Sequence, residues 1–292
     1  MKRLMTILLL ITFVGVMAAP ADAQVLWRSA KTMKQGSYIA MTNLYYQDIT
    51  KVWDFTENEW CDCNYTKTEW GANTMIGYAV TDRMEVMAHI PFRYINYQPE
   101  NGESVDRSGV GDIWLKSRIA VFPWEKNKHG FTVTSTLSLP TGSVERGLGS
   151  GRIKYALGGI YSSKWFGKYR GHLKLNYWWD QKGWATGSSS SPTKDIGDNM
   201  KFIAKNDYNF SKKWMGFATY IYTVKWANYL SDGSLQENSH QTRHIAQVGA
   251  VYKPYSGWFI RPKVAFIMGG VGGTKWDYKP MIDLWYVFNT GV

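Results

Sequence analysis

Arg170 and Lys174 stand four residues apart in YRGHLKLNYWWDQ (Tyr169–Gln181), and Lys201 and Lys205 repeat that interval in KFIAKNDYNF (Lys201–Phe210). On a strand, residues four apart share a face and lie about 13 Å from each other. Two such pairs side by side would let an anion pass from one cation to the next without being held tightly by any of them. The surrounding residues support a strand. Tyr169, Gly171, Leu173, Leu175, Tyr177 and Trp179 take one face, and Arg170, His172, Lys174, Asn176, Trp178 and Asp180 take the other. A strand with an oily, aromatic-ended face and a charged face fits a boundary between lipid and water.

Other reactive residues are fewer. Cys61 and Cys63 form a Cys-Asp-Cys run. In an oxidising compartment this is a possible disulfide, although a bridge across a single residue is strained. A link to another chain, a pair of free thiols and a soft-metal site stay open beside it. His240 and His244 share a face if both lie in a strand, but about 13 Å would then separate them, too far for one metal. Ser239 and His240 are adjacent in sequence, which is poor geometry for a nucleophile and its base. GLGSG (Gly147–Gly151) lacks the Lys-Ser/Thr of a phosphate loop. We therefore expect no enzyme, no catalytic residues, no cofactor and no metal.

The elements that would position the cations follow from the same alternation. Period-two patterns of ten or more residues recur along the chain, longer than the strands of about five or six residues usual in soluble sheets. The predicted strands are 37–49, 67–80, 84–97, 109–122, 130–139, 151–164, 169–181, 198–210, 214–226, 242–253, 258–268 and 276–288. Trp214 and Trp226 bound one apolar face, as do Tyr169 and Trp179, roughly 30 Å apart along a membrane normal. Short links at 81–83, 123–130, 166–168, 211–213 and 254–257 alternate with longer polar ones at 50–66, 98–108, 140–150, 182–196, 227–241 and 269–275. This pattern predicts an all-β fold: a single closed antiparallel transmembrane barrel of about twelve strands, with short periplasmic turns and longer external loops. GSSSSPT (Gly187–Thr193) reads as the tip of an external loop.

Residues 1–23 read as a secretory signal peptide. Lys2 and Arg3 precede an apolar run from Leu4 to Val16, and Ala21-Asp22-Ala23 fits a cleavage site before Gln24. The run is too short to span a bilayer. Residues 24–292 then form the barrel, placed in the outer membrane of a bacterial cell. The chain of 292 residues carries a formal net charge of +11, which loss of the leader lowers by one unit. Export argues against a nucleic-acid partner. The remaining partners are outer-membrane lipid, lipopolysaccharide and a small-molecule solute.

Face assignment places Arg93, Lys116, Arg118, Lys154, Arg170, Lys174, Lys201, Lys205, Arg261 and Lys263 on the lumen wall as a solute path. Lys225, Arg243 and Lys279 join them, and Glu69, Glu85, Asp112, Asp207, Asp277 and Asp283 are the inward anions. Such a cationic wall favours anions. The same charges could instead pair and peg a narrow barrel shut.

Two motifs resemble a known family. SGVGDIWLKSRIAVF (Ser108–Phe122) is similar to the Gly-x-Gly-Asp strand start, and LSLPTGSVERGLGSG (Leu137–Gly151) to the Leu-Pro-Thr-Gly element, of outer-membrane transporters named for the meta-cleavage pathway of phenol degradation. The chain departs from the usual barrel ending on Phe, because Asn289-Thr290-Gly291-Val292 follows Phe288. The resemblance implies an outer-membrane channel or transporter linked to hydrophobic or aromatic compounds. With the cationic wall, this gives a channel for small anionic or aromatic solutes working by passive diffusion. A porin for acidic sugars and a structural or adhesin-type barrel acting through its external loops are the alternatives.

Overall fold

The computed structural model describes residues 29–124, 128–180, 197–229 and 234–289. The leader, the Gly187–Thr193 loop tip and the last three residues lie outside these. Every element is a strand: β1 (Ser37–Asp54), β2 (Glu59–Thr81), β3 (Met84–Pro99), β4 (Val105–Val110), β5 (Ile113–Phe122), β6 (His129–Leu139), β7 (Lys154–Lys164), β8 (Tyr169–Asp180), β9 (Asn199–Asn209), β10 (Trp214–Lys225), β11 (Gln241–Tyr252), β12 (Trp258–Val271), β13 (Thr274–Lys275) and β14 (Lys279–Asn289). Both β4 and β5 pair with β3, and both β13 and β14 pair with β1, so fourteen strands make twelve staves. All pairings are antiparallel. β1 pairs with β2 on one side and β14 on the other, which closes the sheet and leaves no open edge for lipid to meet.

The alternation reads directly as two surfaces. Leu115, Ile119, Val121, Leu173, Leu175, Val248 and Phe266 point outward and are exposed. Aromatic rings bound this band. At the end holding the termini, Trp258, Tyr286, Phe288, Tyr38 and Tyr78 form a continuous chain of ring contacts. Tyr169, Tyr208 and Phe210 continue it. At the far end, Tyr46 meets Trp70, and Tyr177 meets Trp179 and Trp226. Indole and phenol rings suit this level because one edge is apolar and the other can stay wet.

Two expectations need correction. The segment 50–66 is not a loop: β1 and β2 run on as a ladder to Asp54↔Glu59, with residues 55–58 making the turn. A register shift between Ile49 and Lys51 inverts the alternation there, so the pattern breaks although the strand continues. Trp53 and Trp60 pack edge to face at 5.1 Å near the tip. Asp277 is not on the inner wall. It sits exposed in the link between β13 and β14, because the last stave begins at Lys279 rather than 276.

The terminus end of the interior is filled. Met33, Met41, Met75, Met87, Met215, Phe217, Val251, Phe259, Trp285 and Val287 form one buried cluster inside the wall. It occupies the side built by β10–β12, β14 and β1–β3. Unbranched methionines adapt to gaps between the ring side chains.

Candidate functional site

The interior is where charged side chains converge. All ten cations expected there lie on inward positions, and Arg93, Arg118, Lys154, Lys205, Arg261 and Lys263 each meet a carboxylate. Arg93 donates to Glu69 through Nε at 2.9 Å and Nη2 at 2.7 Å. Tyr45 and Gln47 also donate to that carboxylate. Arg118 meets Glu85 at 3.0 Å, and Lys154 meets Asp180 at 3.2 Å. Lys205 lies 2.6 Å from Asp207. Arg261 and Lys263 share Asp283, the lysine at 2.7 Å. Each anion thus takes up one or two cations, as buried charge demands.

Arg170, Lys174, Lys116 and Lys201 complete the ten. Lys116 holds its ammonium 4.8 Å above the Trp114 ring, and Trp114 meets Trp178 at 5.9 Å. Lys201 is on β9, four staves from Lys116 on β5 and four from Lys279 on β14. Lys279 in turn sits 3.7 Å from the Tyr45 ring and donates to Gln47 at 2.8 Å. Lysines thus stand on three staves spaced evenly around the lumen, one of them beside two tryptophans. The four-cation track suggested by spacing is shorter than expected, since Lys205 is buried against Asp207.

Asp112 has a different task from a lumen counter-charge. Gly142 N–H and Ser150 N–H donate to its two oxygens at 3.1 and 2.8 Å, and the Ser150 hydroxyl donates at 2.6 Å. Thr141 accepts from Ile113 N–H and donates to Gly111 O. The Gly-x-Gly-Asp and Leu-Pro-Thr-Gly motifs therefore form one clamp. It bends segment 140–151 into the mouth, where Leu148 is buried and Gly147 O accepts from Arg93 at 3.4 Å.

The clamp needs glycine at 149. A Cβ there would stand 2.3 Å from Gly142 O and 2.6 Å from an Asp112 oxygen. Gly149→Ala should free the segment and speed trypsin cleavage at Arg146 by about tenfold, as a local opening stabilised by roughly 1.4 kcal/mol would. Cleavage at the wild-type rate would show that the clamp does not hold the segment.

A relay that sequence reasoning missed spans β7, β8 and β9. Ser162 Oγ lies 2.7 Å from His172 Nδ1, and His172 Nε2 lies 3.0 Å from Asp207 Oδ2. The carboxylate only accepts, so Nε2 donates and the Ser162 hydroxyl donates to Nδ1. All three side chains are buried, and Ser162 Oγ accepts from Ala30 N–H. The relay holds chain rather than facing substrate. Its signal in the sequence was slight, because three strands supply it.

The cysteines, for which a local bridge was one expectation, are both free. They lie two apart in β2, where an extended backbone carries their side chains parallel rather than toward each other. Among the described residues no group of three His, Cys, Asp or Glu side chains could hold a metal ion.

A family model described as "Putative MetA-pathway of phenol degradation" matches residues 59–266. The chain belongs to this family. Its matched span takes in both clamp motifs and all ten of the lumen cations named above. The COG4313 outer membrane channel from Pseudomonas putida F1 is similar in fold, with a TM-score of 0.77 and 17% identity over 93% of this chain and 100% of that one. The transport unit of the autotransporter AIDA-I from Escherichia coli has a TM-score of 0.52 and 9% identity, over 92% of this chain and 93% of that one. The beta domain of the Bordetella autotransporter Brka has a TM-score of 0.51 and 9% identity, over 87% and 100%. No curated protein sequence matches the chain. The fold is that of an outer-membrane β-barrel.

Proposed function

We propose that the chain is an outer-membrane channel that passes small anionic or aromatic solutes by passive diffusion. The observation that carries this reading is the placing of Lys116, Lys201 and Lys279 on β5, β9 and β14, three staves spaced evenly around the lumen. Cations from opposing strands raise the local concentration of anions and replace part of their hydration. Trp114 and Trp178 beside them offer a planar ring an apolar surface. In this reading the terminus end faces the periplasm and the clamped segment 140–151 lies outside. Residues 1–23 are removed on export, and the aromatic girdles meet outer-membrane lipid and lipopolysaccharide.

The test is ion selectivity of the purified chain in planar bilayers. Open events under a potassium chloride gradient should reverse at the chloride side of zero. Cation preference overturns the anion path. A barrel that never conducts overturns the channel and favours work through the external loops.

A further inference from the structure

Three neighbouring strands bring six polar side chains together at the end of the barrel away from the termini. There β9 begins at Asn199, β10 ends at Lys225 and β11 begins at Gln241. The registers align Asn199, Lys225 and Gln241 in one inward row, and Lys201, Thr223 and Arg243 in the next. All six are half-buried. Cations and neutral groups alternate. One row sets an ammonium between two amides, and the other sets a hydroxyl between an ammonium and a guanidinium. Diagonal neighbours on adjacent strands are about 7–8 Å apart, and residues two strands apart in one row are about 10 Å apart. Lys201, Lys225 and Arg243 mark the corners of a triangle of that size.

The surroundings separate this patch from the ion pairs elsewhere in the lumen. Among the described residues, Arg243 and Lys225 make no hydrogen bond and no ion pair, and Arg243 Nε is buried without a partner. Among the described residues, the one inward carboxylate of β9–β11 is Asp207, at their other end, and His172 and Lys205 hold it. Asp180 on β8 is buried against Lys154 at 3.2 Å. On the side toward the termini the same registers align Ile203, Ile221 and Ile245, an apolar row that bounds the patch.

A half-buried guanidinium with no counter-charge is costly, and cations on neighbouring strands repel one another. Such an arrangement is kept where a ligand supplies the missing charge. One carboxylate cannot reach cations at all three corners. Two or three carboxylates on a short carbon frame can. The amides and the hydroxyl between the cations both donate and accept, which suits hydroxyl groups on that frame.

We propose that Asn199, Lys201, Thr223, Lys225, Gln241 and Arg243 form a binding site for a small hydroxylated di- or tricarboxylate. This rests on the channel reading above and narrows its solute from anions in general to one class. Arg243 takes one carboxylate through two parallel N–H donors, and the two ammonium groups take the others.

The probe is citrate, with benzoate as a single carboxylate on an apolar ring. Calorimetric titration of the purified barrel reads binding, and planar-bilayer current reads the channel. Citrate should bind the wild-type chain at least about tenfold more tightly than benzoate does. Arg243→Gln with Lys225→Gln should weaken citrate by about tenfold or more, because charge-assisted hydrogen bonds are lost. Arg243→Lys should keep part of the affinity. Heat-modifiability on gels confirms that each barrel is folded. No citrate binding by wild type, benzoate bound as tightly as citrate, or equal citrate affinity in wild type and the double variant overturns the site, whatever the current shows. Citrate that interrupts the chloride current of wild type but not of the double variant upholds both readings. Citrate binding that the double variant loses, in a barrel that never conducts, upholds the site and overturns the channel reading.

Discussion

Replacing Asp283 with alanine is expected to cost the barrel about 3–5 kcal/mol of stability, the range for breaking a buried ion pair from one side. Asp283 is fully buried. It accepts from Arg261, from Lys263 at 2.7 and 2.8 Å, and from Asn43. Without it two cations on alternate positions of β12 lose the carboxylate they share. The hairpin pair Lys51–Asp62 makes the contrast. It spans 3.7 Å with side chains 37% and 89% exposed. Breaking it should cost less than about 1 kcal/mol, because water screens both ends. Urea titration of the heat-modifiable band reads both. An unchanged midpoint for Asp283→Ala would mean that water inside the barrel solvates the two cations. Replacing Asp283, Arg261 and Lys263 together by apolar residues of similar size should recover much of the loss.

The second large effect is on selectivity. Lys116→Glu with Lys201→Glu should lower the chloride-over-potassium permeability ratio by about tenfold or more. These positions sit on β5 and β9, four staves apart, and Lys279 on β14 is four staves from each. The reversals leave the carboxylate-centred pairs of Arg93, Arg118 and Lys154 in place, so the barrel should assemble. Reversal potentials of the double variant, compared with wild type, give the answer. A ratio that does not move would place the path of the ions away from these lysines. Lys205→Glu is a poor probe for the same purpose. It would set two carboxylates together where Asp207 is buried, and loss of folding would obscure the reading.

Much of this architecture is legible in the amino-acid order, and the failures have physical causes. Tyr169–Asp180 declares both of its faces because a lipid-facing position and a lumen-facing one tolerate such different side chains. That contrast places every one of the ten expected cations on the inner wall. It does not name their partners. Glu85 and Arg118 lie on different strands, and only the register Glu85↔Arg118 brings them opposite. The hairpin beyond Ile49 was hidden by three extra residues on β2, an odd number that reverses the pattern. Ser29–Gln35, which turns back against the inner wall before β1, was hidden for another reason: it has no periodicity, and many of the bonds that secure it are made by its backbone. The glycine clamp stood between these cases. Its motifs were visible, but that they touch each other depends on Asp112 reaching across from the next stave.

External loops of a barrel are ordinarily where related chains gain and lose residues, since their backbones bear on nothing else. Segment 140–151 has no such freedom. Its start is pinned through Thr141 and Gly142, its middle through Gly147, and its end through Ser150. An added residue between the first and last pins would have to bulge into the space Leu148 fills, and a lost one would pull Ser150 off Asp112. Across related chains this segment should therefore hold its length while the tip of the β1–β2 hairpin drifts, which makes it a fixed point for aligning them.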